Sequence, residues 1–125
     1  MREGVSAGRP TDIFSRTVSC GKRKRKIMQC GYCVPCVIRR AALFGAGIDD
    51  ETRYRHNIRD AWRDPEIRDD LLAMRLANLD VIGNLRVRAI ASGPFPLGAV
   101  ERDGWFGVHE RGLTEFRDYL RSEGL

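Results

Sequence analysis

The chain has 125 residues, enough for one domain with a modest core, and its 42% apolar and 31% charged content excludes wholesale disorder. A formal net charge of +5 permits contact with nucleic acid or another polyanion without demanding it. No run approaches the roughly 20 apolar residues a membrane span requires, and the first twelve residues lack the apolar centre of a signal peptide, so the reading is a cytoplasmic protein with no membrane partner.

Residues 1–19 form an extended arm with little periodicity. Gly8, Arg9, Pro10 and Thr11 read as a turn, Asp12 to Ser15 as one short helical turn, and Thr17 to Ser19 as an extended lead-in to the first cysteine. Nothing obvious in the chain is offered for this arm to pack on.

Residues 20–46 hold all four cysteines. Cys30, Cys33 and Cys36 recur at intervals of three, and Cys20 lies upstream across the loop GKRKRKIMQ. Four thiolates satisfy one tetrahedral Zn2+, and C-x2-C is a common way to place two sulfurs on one metal. Gly31 lets the chain turn tightly behind Cys30. Pro35 suits a first helical turn and sets Cys36 there, where the helix dipole favours a thiolate. From Pro35, the residues Val37, Ile38, Ala41 and Phe44 recur at helical spacing, with Leu43 beside them, and Gly45 and Gly47 end the helix after about three turns. A C-x2-C-x2-C run also occurs in iron–sulfur proteins, but there the next cysteine lies downstream and precedes a proline. A thioredoxin-like redox pair lacks its βαβ surroundings, and a reducing compartment disfavours disulfides. With four cysteines and no nearby histidine, the site reads as closed and structural rather than catalytic.

Lys22, Arg23, Lys24, Arg25 and Lys26 are five consecutive cations and therefore a solvated loop. With Arg39 and Arg40 they form a candidate polyanion contact; alternatively the cations offset the −2 charge of zinc with four thiolates, or the loop has no partner.

The pattern of a cysteine, a loop, then C-G-x-C-x2-C followed closely by Arg resembles the C-terminal zinc segment of 7-cyano-7-deazaguanine synthases. The string CGYCVPCVIRRAALFGAGIDD resembles most a divergent branch, the synthase-like proteins of Qat-type anti-phage defence systems. The resemblance covers residues 17 to 58 and assigns structural zinc to Cys20, Cys30, Cys33 and Cys36. It also implies an N-terminal nucleotide-binding α/β domain with a Ser-Gly-Gly-x-Asp-Ser loop, using ATP and ammonia to convert a carboxylate into a nitrile. This sequence contains no such loop, so the resemblance makes it the C-terminal region of such an enzyme, a fragment or a split subunit, inactive by itself and partnered by an α/β ATP-binding domain or subunit. The competing reading is a free-standing zinc module that binds nucleic acid or protein through its basic loop.

Residues 47–125 are expected to be helical, which makes the fold mainly α: a four-cysteine zinc knuckle leading into a helical bundle. Asp49 to Thr52 could cap a short helix through Tyr54, and His56 reads as a surface or hydrogen-bonded residue rather than a fifth ligand. Asp64-Pro65-Glu66 is a helix start, followed by the apolar face Ile67, Leu71, Leu72, Met74, Leu76 and Leu79. Residues 80–91 suit a helix over a strand for want of a pairing partner, and Ser92 to Gly98 is a loop. A last helix is expected over about 108–122 with Leu113, Phe116 and Leu120 inward, His109 at the core edge, and Trp105 and Phe106 packing just before it.

Overall fold

A computed structural model describes residues 12–22, 28–79, 81–91 and 93–125. The architecture is mainly helical, with α1 over Asp12–Arg16, α2 over Val34–Ala46, α3 over Ile58–Arg63, α4 over Asp69–Leu79, α5 over Val81–Ala91 and α6 over Ala99–Ser122. Among the described residues, the sole β-type pairing is an isolated parallel bridge between Gln29 and Tyr54. None of the described helices is long and apolar enough to cross a membrane.

The helix α2 begins as its sequence dictates. Cys33 is extended at the N-cap, Pro35 falls in the first turn, and Gly47 closes the helix in the left-handed region at φ 67°, its N–H returning to Leu43 and Phe44 carbonyls. Gly45 does not stop the helix. Instead it lets α6 come close, since a Cβ there would lie 3.1 Å from Glu115 Cγ.

Packing of α2 against the C-terminal half of α6 forms the core. Val37 and Ala41 meet Phe116, Tyr119 and Leu120, and Ile58, Ala61 and Leu71 close the cluster from α3 and α4. Ile67 and Met74 pack against its edge, while Leu76 and Leu79 at the far end of α4 are exposed. Ile38 and Phe44 also face outward, leaving Leu43 as the third buried apolar residue of α2. The expected stripe was therefore too wide: a short helix meeting its partners on one side buries only the residues nearest them.

Several local expectations need correction. Residues 48–53 are not helical, because Asp50 spends its carboxylate on the Thr52 N–H (3.0 Å) and the Tyr54 hydroxyl (2.8 Å). The short helix lies further on as α3, where the Asn57 side chain accepts from the Arg59 N–H at 2.8 Å. Asp64 does cap the next segment, accepting from the Glu66 N–H at 2.9 Å, but residues 65–68 form a turn and the α-helix begins at Asp69. Residues 81–91 are helix, as expected.

The last helix starts nine residues before the expected 108. Gly104 and Gly107 each cost about 1 kcal/mol relative to alanine, yet Phe106 is buried and stacks on Phe95 at 5.0 Å between centroids, which holds this stretch in register. Phe106 thus packs within the helix rather than before it, whereas Trp105 and His109 are exposed. Phe116 and Leu120 are inward, with Leu113 half-buried.

Candidate metal centre

The four cysteines come from two segments that would separate without each other. Cys30 and Cys33 sit on the turn before α2, Cys36 lies in its first helical turn, and Cys20 arrives from the opposite side on the lead-in segment. Their four Sγ atoms all lie within 4.8 Å of one another, with Cys30 to Cys36 at 3.9 Å and Cys33 to Cys20 at 4.0 Å. Sulfurs ~2.3 Å from one tetrahedral zinc are ~3.8 Å apart, so the cluster matches a single four-coordinate ion. All four are free thiols; Cys30, Cys33 and Cys36 are buried and Cys20 half-buried.

Backbone N–H groups converge on the sulfurs. Cys30 N–H donates to Cys20 Sγ and Cys33 N–H to Cys30 Sγ, each at 3.3 Å. Such donors favour thiolate over thiol and suit a metal-bound sulfur. Burial pushes the Cys20 thiol up, but amides of Cys30 and Lys22 outweigh it and bring it down to about 7. Burial dominates at Cys30 and at Cys36, and both are raised. Without a cation, two of these thiols resist ionisation in a site that gathers all four, which is the chemistry expected of a place built around a positive ion. His56 is not among the clustered ligands; its ring packs edge-on against Tyr32 at 5.4 Å.

Gly31 makes the turn feasible twice over. Its φ is 90°, and a Cβ would lie 2.6 Å from the His56 carbonyl oxygen and 2.8 Å from Arg40 Nη2. The close approach admits a fixed contact set: Arg40 Nη2 donates to His56 O at 3.0 Å, and the guanidinium lies 3.8 Å over the Tyr54 ring. In turn, His56 N–H donates to Cys30 O at 3.2 Å. Arg40 Nη1 reaches the Tyr119 hydroxyl at 3.4 Å, so one side chain joins the metal turn to α6.

The lead-in to Cys20 has a docking place within the chain. Gln29, only 3% exposed, accepts through Oε1 from the Ser19 N–H (3.1 Å) and hydroxyl (2.9 Å) and donates from Nε2 to Thr17 O (3.1 Å). Its backbone pairs with the other side, accepting from Arg55 N–H and donating to Arg53 O. Sequence reasoning missed Gln29: a polar residue beside a cysteine carries no mark of burial.

Of the candidate polyanion residues, Lys22 pairs with Asp70 at 2.9 Å and lies 4.8 Å over the Tyr32 ring; the Asp70 hydrogen bond raises its pKa. Arg23, Lys24, Arg25 and Lys26 lie outside the described residues. Arg39 donates to Thr52 Oγ1 (3.1 Å) and to Thr17 Oγ1 (2.6 Å), and Arg40 is occupied as above. Lys22, Arg39 and Arg40 are thus each engaged by a partner within the fold.

Over 56 residues, 45% of this chain, the sequence is 46% identical to a 7-cyano-7-deazaguanine synthase of Cupriavidus pinatubonensis. The matched stretch is 24% of that protein, so the chain spans about a quarter of the length of the curated relative it matches. No family model and no solved structure matches the chain.

Proposed function

We propose that this chain is the zinc-binding C-terminal region of a 7-cyano-7-deazaguanine synthase-like, ATP-dependent protein, and that its zinc is structural. The observation that carries the reading is the four-sulfur cluster, all Sγ within 4.8 Å, in a chain that is 46% identical over 56 residues to such a synthase. Zinc bound by four thiolates has no open position for water or substrate, so it would supply fixation rather than Lewis-acid chemistry. The chain's own residues do the rest: Cys20 ties the lead-in segment to the turn, and Cys36 ties the turn to α2. Arg40 carries that order to α6.

Activity then requires an α/β ATP-binding domain, in the same polypeptide or as a separate subunit. The resemblance to the Qat-type branch further suggests anti-phage defence as the setting. Metal analysis of the purified chain tests the first part: one zinc per chain in a colourless sample is expected, and a brown iron-bearing sample would overturn it. Co-purification with the product of the adjoining coding sequence tests the second, the expected partner being one with a Ser-Gly-Gly-x-Asp-Ser loop. Adjoining sequence without such a loop would overturn the partnership.

A further inference from the structure

Beside the metal centre, and sharing Gln29 with it, lies a cleft of about 390 Å³. One wall is Ser15 to Val18, the other is Glu51 to Arg53, and buried Gln29 forms the floor. Arg16 and Arg53 line opposite walls, and neither has an ion-pair partner among the described residues. Glu51 is the one carboxylate of the lining.

Arg39 adds a third cation behind the walls. It spans the cleft's two threonines, Nη1 on Thr17 and Nε on Thr52; among the described residues it forms no ion pair, and its Nη2 is shut off from solvent with no hydrogen-bond acceptor. Arg39 is half-buried, and its guanidinium rests on two neutral hydroxyls rather than on a carboxylate, so its charge is left to attract an anion nearby. The positive charge is therefore concentrated where the fold leaves an opening.

We propose that this cleft binds a phosphate group carried by a small molecule. Guanidinium forks on opposite walls suit an anion with oxygens on several sides, whereas a carboxylate presents its two oxygens along one edge. Arg16 and Arg53 contact the phosphate, and Arg39 acts through its charge and by holding Thr17 and Thr52 in place. The size fits a mononucleotide-scale ligand. The cleft's residues serve this role whatever the identity of the metal or of the partner domain.

The test is calorimetric titration of the metal-loaded full chain at low ionic strength with inorganic phosphate, with AMP, and with a single-stranded oligonucleotide lacking terminal phosphates. Saturable one-to-one binding of phosphate or AMP is expected, weakened about tenfold or more by Arg16→Gln and by Arg53→Gln, the loss of a charge-assisted contact. Neutralising Lys24 and Arg25 together leaves that affinity unchanged. Circular dichroism and zinc content select the arginine variant that keeps its fold; both residues are exposed. Absence of saturable binding at millimolar phosphate and AMP overturns the proposal. So does binding of the oligonucleotide alone, or an equal loss in the Lys24/Arg25 variant, either of which places the anion on the basic loop.

Discussion

Gln29 Oε1 accepts two hydrogen bonds from Ser19, one from its N–H at 3.1 Å and one from its hydroxyl at 2.9 Å. A single buried amide thereby fixes the residue next to Cys20 against the residue next to Cys30. The contact helps to bring the two cysteines together across their loop, and the nearby Cys36 Sγ lies 3.9 Å from the same oxygen.

Replacing Gln29 by Ala leaves the Ser19 N–H and the Thr17 carbonyl without their partner. Each group deprived of a hydrogen bond in a buried setting costs about 1–3 kcal/mol, reduced here because both are only part-buried. We expect the urea midpoint of the metal-loaded protein to fall and zinc transfer to a chelator to quicken. An unchanged transfer rate would show that the Ser19 contacts do not hold Cys20.

Two glycines with positive φ offer a graded comparison. At Gly47, φ is 67° with open space around an added Cβ, so Gly47→Ala should cost about 1–2 kcal/mol, the left-handed penalty alone. At Gly31 the same penalty is joined by contacts of 2.6 Å and 2.8 Å with backbone and guanidinium. Gly31→Ala should be the more destabilising and should also lower zinc content. Denaturation and metal analysis of the two variants side by side provide the check.

Proton linkage follows from the thiols. For the metal-free protein, Cys20 lies at about 7 against an ordinary 9.0, so its contribution is present above pH 9 and lost as pH falls through about 7. Cys30 and Cys36 are raised above 9.0, so theirs is present below pH 9 and lost as pH rises beyond it. Metal binding must expel the protons the thiols still hold, so zinc affinity should decline as pH drops, with proton uptake on metal removal. In metal-free protein near neutral pH, Cys20 should alkylate first, as read by mass spectrometry of the labelled peptides.

The two ends of α4 should respond differently to truncation. Leu71 is fully buried in the core cluster, and Leu71→Ala should cost about 2–5 kcal/mol. Leu79 is 69% exposed, and Leu79→Ala should stay within about 0.5 kcal/mol. Thermal denaturation that shifted equally for both would contradict the α4 orientation.

Some of this was legible from local chemistry. Cys30-Gly31-Tyr32-Cys33-Val34-Pro35-Cys36 announces both a sulfur site and a helix start, because ligand spacing, a turn glycine and a first-turn proline act within a few residues of one another. The start of α6 was not legible. Gly104 and Gly107 argue against a helix locally, and tertiary contacts override them: Phe106 stacks on Phe95, and Arg86 of α5 lies over the Phe106 ring and pairs with Asp103. The acidic run at Asp49 to Thr52 misled for a related reason: Asp50 acts as a cap only if the chain turns into helix, and the Gln29–Tyr54 bridge holds it extended instead.

By itself the sequence determined that four cysteines gather at the head of α2 and that most of the chain is helical, since ligand spacing and apolar periodicity are short-range properties. Only the tertiary structure decided how the site is held. The meeting of Gln29 with Ser19, of Arg40 with Tyr54 and Tyr119, and of Gly31 with His56 joins residues distant in the chain, and contacts of that kind leave no periodic trace in the order of amino acids.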